Sequence, residues 1–164
     1  GFLINPPIAL YYMQGLNTTP VHGHTVLFGV YGMLGIGLML FCLRGLTDRR
    51  PWRTGPLALA FWSINIGLAL MVLLSVLPVG LMQTWASVEH GMWYARSAEF
   101  LQTDLLDTLR WMRAIGDTIF AVGVVVLGYF VVGLKTGWSL KLGPEPAIEA
   151  VQHHPSPEYS TSET

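Results

Sequence analysis

Three stretches of this chain are nearly free of charge and long enough to cross a bilayer. Gly1 to Leu43 contains no Asp, Glu, Lys or Arg, Pro56 to Val88 contains none, and Ala114 to Leu134 contains only Asp117. About 20 consecutive apolar residues span the hydrocarbon core as a helix. A soluble domain has little use for three such segments, so the chain reads as an integral membrane protein. Its composition agrees: 52% hydrophobic and 12% charged, the latter about half the usual share in soluble proteins. The expected fold class is all-α transmembrane, with three complete spans and the end of a fourth at one edge of a larger helical bundle.

The first apolar run, to about Gly15, is expected to be the tail of a helix kinked or interrupted at Asn5-Pro6-Pro7, because proline removes a backbone donor. The opening Gly1-Phe2-Leu3-Ile4 already lies inside that run, which suggests a larger polypeptide upstream. The first complete span is expected over about 21–43, capped by Thr18 or Thr19 with Pro20 in its first turn. Gly29, Gly32 and Gly35 recur along it as a smooth stripe for a neighbouring helix or a flat cofactor. The loop that follows carries Arg44, Arg49, Arg50 and Arg53 against Asp48, and so belongs on the cytoplasmic side by the positive-inside rule. The second span is expected to end near Met82. A polar, Trp-rich segment over 83–113 then forms an interfacial helical cap on the outer side. The third span, about 115–134, returns to the cytoplasm. Residues 1–142 thus form the membrane portion, and the Pro-, Ser-, Thr- and Glu-rich 143–164 a flexible cytoplasmic tail.

The near-neutral net charge of −1, with no basic cluster large enough to bind it, argues against nucleic acid as a partner. The single Cys42 lies inside a span and is expected to pack as a small apolar side chain.

The chemistry concentrates at His22-Gly23-His24, at the start of an otherwise uncharged span. Ionisable groups in a membrane helix are costly and tend to mark function. Residues i and i+2 on a helix are roughly 200° apart, so the two imidazoles cannot share one metal. They can each hold a different metal on opposite sides of the helix. Imidazole is a common axial ligand of haem iron, and Gly23 leaves room for macrocycle edges. The competing reading of the spacing is a polar helix end at the interface.

Haem on both faces of one helix resembles the haem-copper oxidase superfamily. The flanking residues sharpen the likeness. Asn5-Pro6-Pro7, Tyr11-Tyr12, Gln14-Gly15 and the run Pro20-Val21-His22-Gly23-His24-Thr25-Val26-Leu27-Phe28-Gly29-Val30-Tyr31-Gly32 resemble the nitric oxide reductase branch, and in particular its quinol-dependent enzymes. Trp62-Ser63-Ile64-Asn65-Ile66-Gly67-Leu68, Glu89-His90-Gly91-Met92-Trp93-Tyr94-Ala95-Arg96 and Trp111-Met112-Arg113 extend it over all but the tail.

The resemblance implies a bacterial inner-membrane, multi-pass enzyme that reduces two nitric oxide molecules to nitrous oxide and water with electrons from quinol. It makes His22 the ligand of a catalytic high-spin haem b and His24 an axial ligand of a low-spin haem b. The second ligand of the low-spin haem and the ligands of a non-haem iron would lie outside this chain. The implied partners are the remainder of the same reductase, quinol, nitric oxide, the lipid membrane and, in a homodimer, a second copy. Gly116-Asp117-Thr118 matches the position of an aspartate in the family's quinol site, where a carboxylate can accept a hydroxyl proton. Alternatively, Asp117 is a wetted helix-start carboxylate favoured by the dipole.

Glu89, His90 and Arg96 suggest either an ion or haem-propionate site or ordinary interfacial ion pairs. His153-His154 in the tail is assigned no role. Two other functional classes remain open from these residues: an oxygen reductase of the same superfamily, and a non-catalytic membrane subunit or transporter segment with a histidine-lined polar pocket.

Overall fold

In a computed structural model, residues 4–47 and 50–142 are described, and among them helices dominate. We number the helices in chain order. Helix α1 is Pro7–Met13. The three long helices are α2, Thr18–Leu46; α3, Thr54–His90; and α6, Arg113–Thr136. Between α3 and α6 lie a 3₁₀ turn, Tyr94–Arg96, and two short helices, α4, Ala98–Leu101, and α5, Asp104–Trp111. Helices suit this composition because each satisfies its own backbone polar groups where no water can. The tail from residue 143, with His153 and His154, lies outside the described residues.

The three long helices pack as an up-down-up set. Phe28 of α2 meets Phe120 of α6 edge to face, with ring centroids 4.9 Å apart. Further along both helices, Leu40 and Leu43 pack against the buried Phe130 and Leu134. Residue numbers rise together on both sides of the contact, so α2 and α6 run parallel, with α3 antiparallel to both. Ala60 and Ile64 of α3 complete the core with Leu127.

The closest approach is between α3 and α6, and glycines make it. A β-carbon on Gly67 would lie 2.5 Å from the Phe120 amide nitrogen, one on Gly116 2.5 Å from that of Met71, and one on Gly123 2.8 Å from that of Ile64. Lipid is as apolar as leucine, so close backbone packing supplies much of the attraction between such helices. The glycine stripe expected on α2 makes no equivalent contact: Gly29 faces Leu68, Gly32 faces Phe28 of its own helix, and Gly35 faces open space. We therefore expect Gly123→Leu to lower thermal stability in detergent by at least the 1–3 kcal/mol typical of overpacking. Gly35→Leu, measured by the same melting assay, should change it far less.

Several expected boundaries shift. Pro7 opens α1, where its missing N–H costs nothing, and the run before Ile4 lies outside the described residues. The α2 cap position belongs to Asn17, whose side chain makes no capping bond, while Thr18 is the first helical residue and its hydroxyl donates to Met13 O over 3.2 Å. Pro20 does lie in the first turn. Helix α3 does not end at Met82 but continues to His90. Pro78 is carried because the preceding residues, Val72–Val76, widen into a π-helical turn that absorbs the lost hydrogen bond. At 37 residues, α3 is about 55 Å long and outruns a ~30 Å hydrocarbon core.

The extra turns of α3 hold the cap together. Gln83, 5% exposed, accepts from the Asn17 amide at 2.9 Å and donates to Ala95 O at 3.1 Å. Leu16, Ala86 and Ala95 are buried beside it. The cap is thus packed onto the start of α2 as well as being helical.

At the opposite end the arginine loop is stapled to the chain beyond α6. Arg53 N–H donates to Ser139 O and Lys141 N–H to Pro51 O, both at 2.8 Å. Trp52 packs on Phe130, and the Arg44 guanidinium lies 5.2 Å over the Trp52 ring. Cys42 is exposed on α2 and does not pack within this chain. The α2 face that carries it also leaves Leu34, Leu38 and Phe41 bare.

Candidate haem-ligand helix and its surroundings

His22 and His24 occupy the first turns of α2, both half-buried. Winding changes between them: Thr18–His22 is α-helical, and Gly23–Gly32 is a ten-residue π-helical run before α-winding resumes at Met33. π-winding is rare and favours functional sites. Where the bonding pattern changes, side chains take up backbone carbonyls. His24 Nδ1–H donates to Pro20 O at 2.7 Å, and Thr25 Oγ1 donates to Val21 O at 2.7 Å.

The His24 bond settles its tautomer. A carbonyl only accepts, so Nδ1 carries a proton, and in the neutral ring Nε2 is the nitrogen with the lone pair. Metal-binding histidines characteristically use such a bond from the far ring nitrogen to fix the ring and raise ligand basicity. Beside the ring is an open hollow of about 400 Å³ walled by Pro20, Gly23, Leu27 and Phe28. A β-carbon on Gly23 would meet nothing within 4 Å, so the backbone between the histidines is accessible to a broad, flat group. The donor chemistry, apolar wall and open backbone fit a haem.

Asp117 is not alone in its span, as the sequence suggested. Helix α6 begins two residues earlier than expected, at Arg113, which places Arg113 one turn before Asp117 on the same face. Arg113 Nε lies 3.1 Å from Asp117 Oδ2, with the side chains 45% and 44% exposed. Such an i,i+4 pair contributes only about 0.3–0.5 kcal/mol. The pair orients the carboxylate more than it stabilises the fold. Asp117 precedes Phe120 by three residues, and His24 precedes Phe28 by four. Since the two phenylalanines touch on parallel helices, Asp117 and His24 lie at the same depth.

A second cavity, about 430 Å³, lies at this end of the bundle and includes Asn17, Pro20, Ser75, Arg110, Trp111 and Arg113 in its wall. Pro20 therefore borders both hollows, and the polar cavity adjoins the backbone anchor of His24. Ser75, 3% exposed, reaches it from the π-turn of α3. Sequence reading missed Ser75 and the role of Arg110. A lone serine in an apolar run carries no periodic signal, though the nearby Pro78 marks the irregular turn that presents it.

Glu89, His90 and Arg96 do not converge. His90 stacks on Tyr94 with centroids 4.9 Å apart and is 3.9 Å from its neighbour Glu89. Arg96 instead donates to Gln14 O at 2.6 Å, bracing a turn in which Gly15 has φ of +72°. That conformation suits glycine. Among the described residues no three potential metal-ligating side chains cluster.

Comparison with curated proteins gives no match. The family described as cytochrome c and quinol oxidase polypeptide I matches residues 1–119, well over half of the 164-residue chain and including both histidines and Asp117. With three helices of sufficient length and apolarity to cross a membrane, the chain belongs to this family of haem-binding membrane oxidoreductases.

Proposed function

We propose that the chain forms part of a quinol-dependent nitric oxide reductase of the bacterial inner membrane. The reaction is 2 NO + 2 H⁺ + 2 e⁻ → N₂O + H₂O, with quinol oxidised to quinone. The observation that carries the haem assignment is the His24 anchor. With Nδ1 committed to Pro20 O at 2.7 Å, Nε2 is the nitrogen left for iron, on the side of the helix opposite His22. In this reading His24 would hold a low-spin haem b and His22 a high-spin haem b. A non-haem iron would be held by residues from the remainder of the same polypeptide. When bound, these groups supply the redox chemistry.

The chain's own residues hold the ligands in place and take up a proton. Asp117, level with His24 and steadied by Arg113, accepts a hydroxyl proton from quinol as its electrons leave. Arg110 and Arg113 border the polar cavity above the His24 anchor and suit carboxylate groups, since guanidinium pairs with them in a forked geometry. Recognition of the nitric oxide reductase branch rests on the motifs around His22 and His24.

A second reading, an oxygen reductase, is favoured by the family's description as oxidases. Purification of the full-length protein separates the two. Two b-type haems, one high-spin, with iron in excess of haem and quinol-driven NO consumption support the reductase. Copper with oxygen consumption and no NO turnover would replace it with the oxidase. Absence of haem would end both.

A further inference from the structure

Between α2 and α3, towards the arginine loop, an almost wholly apolar groove of about 370 Å³ opens to the surface. Met33, Ile36 and Leu40 form one wall, Leu57 and Phe61 the other, and Thr54 marks the end at the loop. The groove is far along α2 from both histidines. Directly beyond Thr54 is Arg53, exposed at the head of α3. An apolar trough whose end residue adjoins an exposed arginine complements a molecule with a hydrocarbon tail and an anionic head.

We propose that this groove binds an anionic phospholipid, with one acyl chain lying between α2 and α3 and its phosphate at Arg53. Two features favour a lipid over a protein helix. The trough is apolar except at Thr54, beyond which the exposed Arg53 follows, an order that matches the groups along a phospholipid. Basic residues at a membrane surface favour anionic lipid by about fivefold each.

The test uses the full-length protein in nanodiscs with photo-crosslinkable phosphatidylglycerol or phosphatidylcholine carrying the same diazirine acyl chain. Crosslinked peptides are mapped by mass spectrometry. Phosphatidylglycerol should label residues on the 33–40 and 57–64 walls about fivefold more than phosphatidylcholine, and Arg53→Gln should erase most of that preference. Ala58→Trp, which fills the groove from an exposed position, should suppress labelling while Arg53 is intact. Melting temperatures of both variants distinguish a lost lipid site from a lost fold. Equal labelling by the two lipids, indifferent to Arg53→Gln, would overturn head-group recognition. No labelling by either lipid would mean that another part of the protein covers the groove, and would overturn the proposal outright.

Discussion

His24→Ala is expected to remove the low-spin haem b spectrum while leaving a high-spin haem that still binds ligands. His22→Ala should do the opposite: the low-spin haem stays reducible, the ligand-reactive signal collapses, and NO turnover falls to background. In each variant haem content drops from about two to about one per protein, since each axial imidazole serves its own iron. The expectation comes from direction. The imidazoles leave the helix roughly 200° apart, and the His24 ring is fixed by its bond to Pro20 O, so neither side chain can swing to replace the other. Optical spectra of the reduced and CO-bound protein, with haem extraction, read both outcomes. Loss of the same single haem in both variants would mean that the two rings serve one site.

The second large effect concerns Asp117. Asp117→Asn keeps the shape and a hydrogen bond near Arg113 but removes the base. Quinol-driven NO reduction should fall by roughly 10²–10⁴-fold, the usual worth of a positioned general base, with haem content unchanged. An artificial donor that reduces the haems directly should support nearly normal turnover in the same protein. Arg113→Gln is a useful companion. It leaves the carboxylate without its 3.1 Å partner and should impair quinol oxidation less than loss of the carboxylate. Equal losses with both donors would assign Asp117 to the fold or to proton delivery and remove it from the quinol site.

Much of this architecture is legible in the sequence because lipid imposes simple rules. The uncharged runs around 21–43, 57–82 and 115–134 announce three spans directly, and the structure has three helices fit to cross a membrane. What the runs conceal are contacts set by single residues. Hydropathy treats Gly67, Gly116 and Gly123 as unremarkable, yet they determine how closely α3 and α6 approach. Gln83 looks like the start of a polar segment, but burial and two hydrogen bonds make it part of α3 and a tie to the start of α2. Pro7 starts a helix, and Pro78 sits within one because a π-turn precedes it.

At the candidate site, the histidine spacing already implied two rings on opposite sides of the helix. The Pro20 acceptor was invisible, since it depends on how the chain winds and not on residue type. Asp117 was found by its charge but misjudged as solitary, because Arg113 was counted with the cap and not with the helix.

The π-wound segment below the histidines also bears on how such a helix can vary. Each π turn holds more residues than an α turn, so ten residues wound this way set an angular offset between the ligand end of α2 and the end that packs through Ile36 and Leu40. That offset acts as a phase adjuster. A residue gained or lost within 23–32 can be taken up by trading one kind of turn for the other, leaving the imidazoles aimed as before and the lower contacts in register. The ligands and the packing face can therefore drift independently over generations, which a uniformly α-helical rod would forbid.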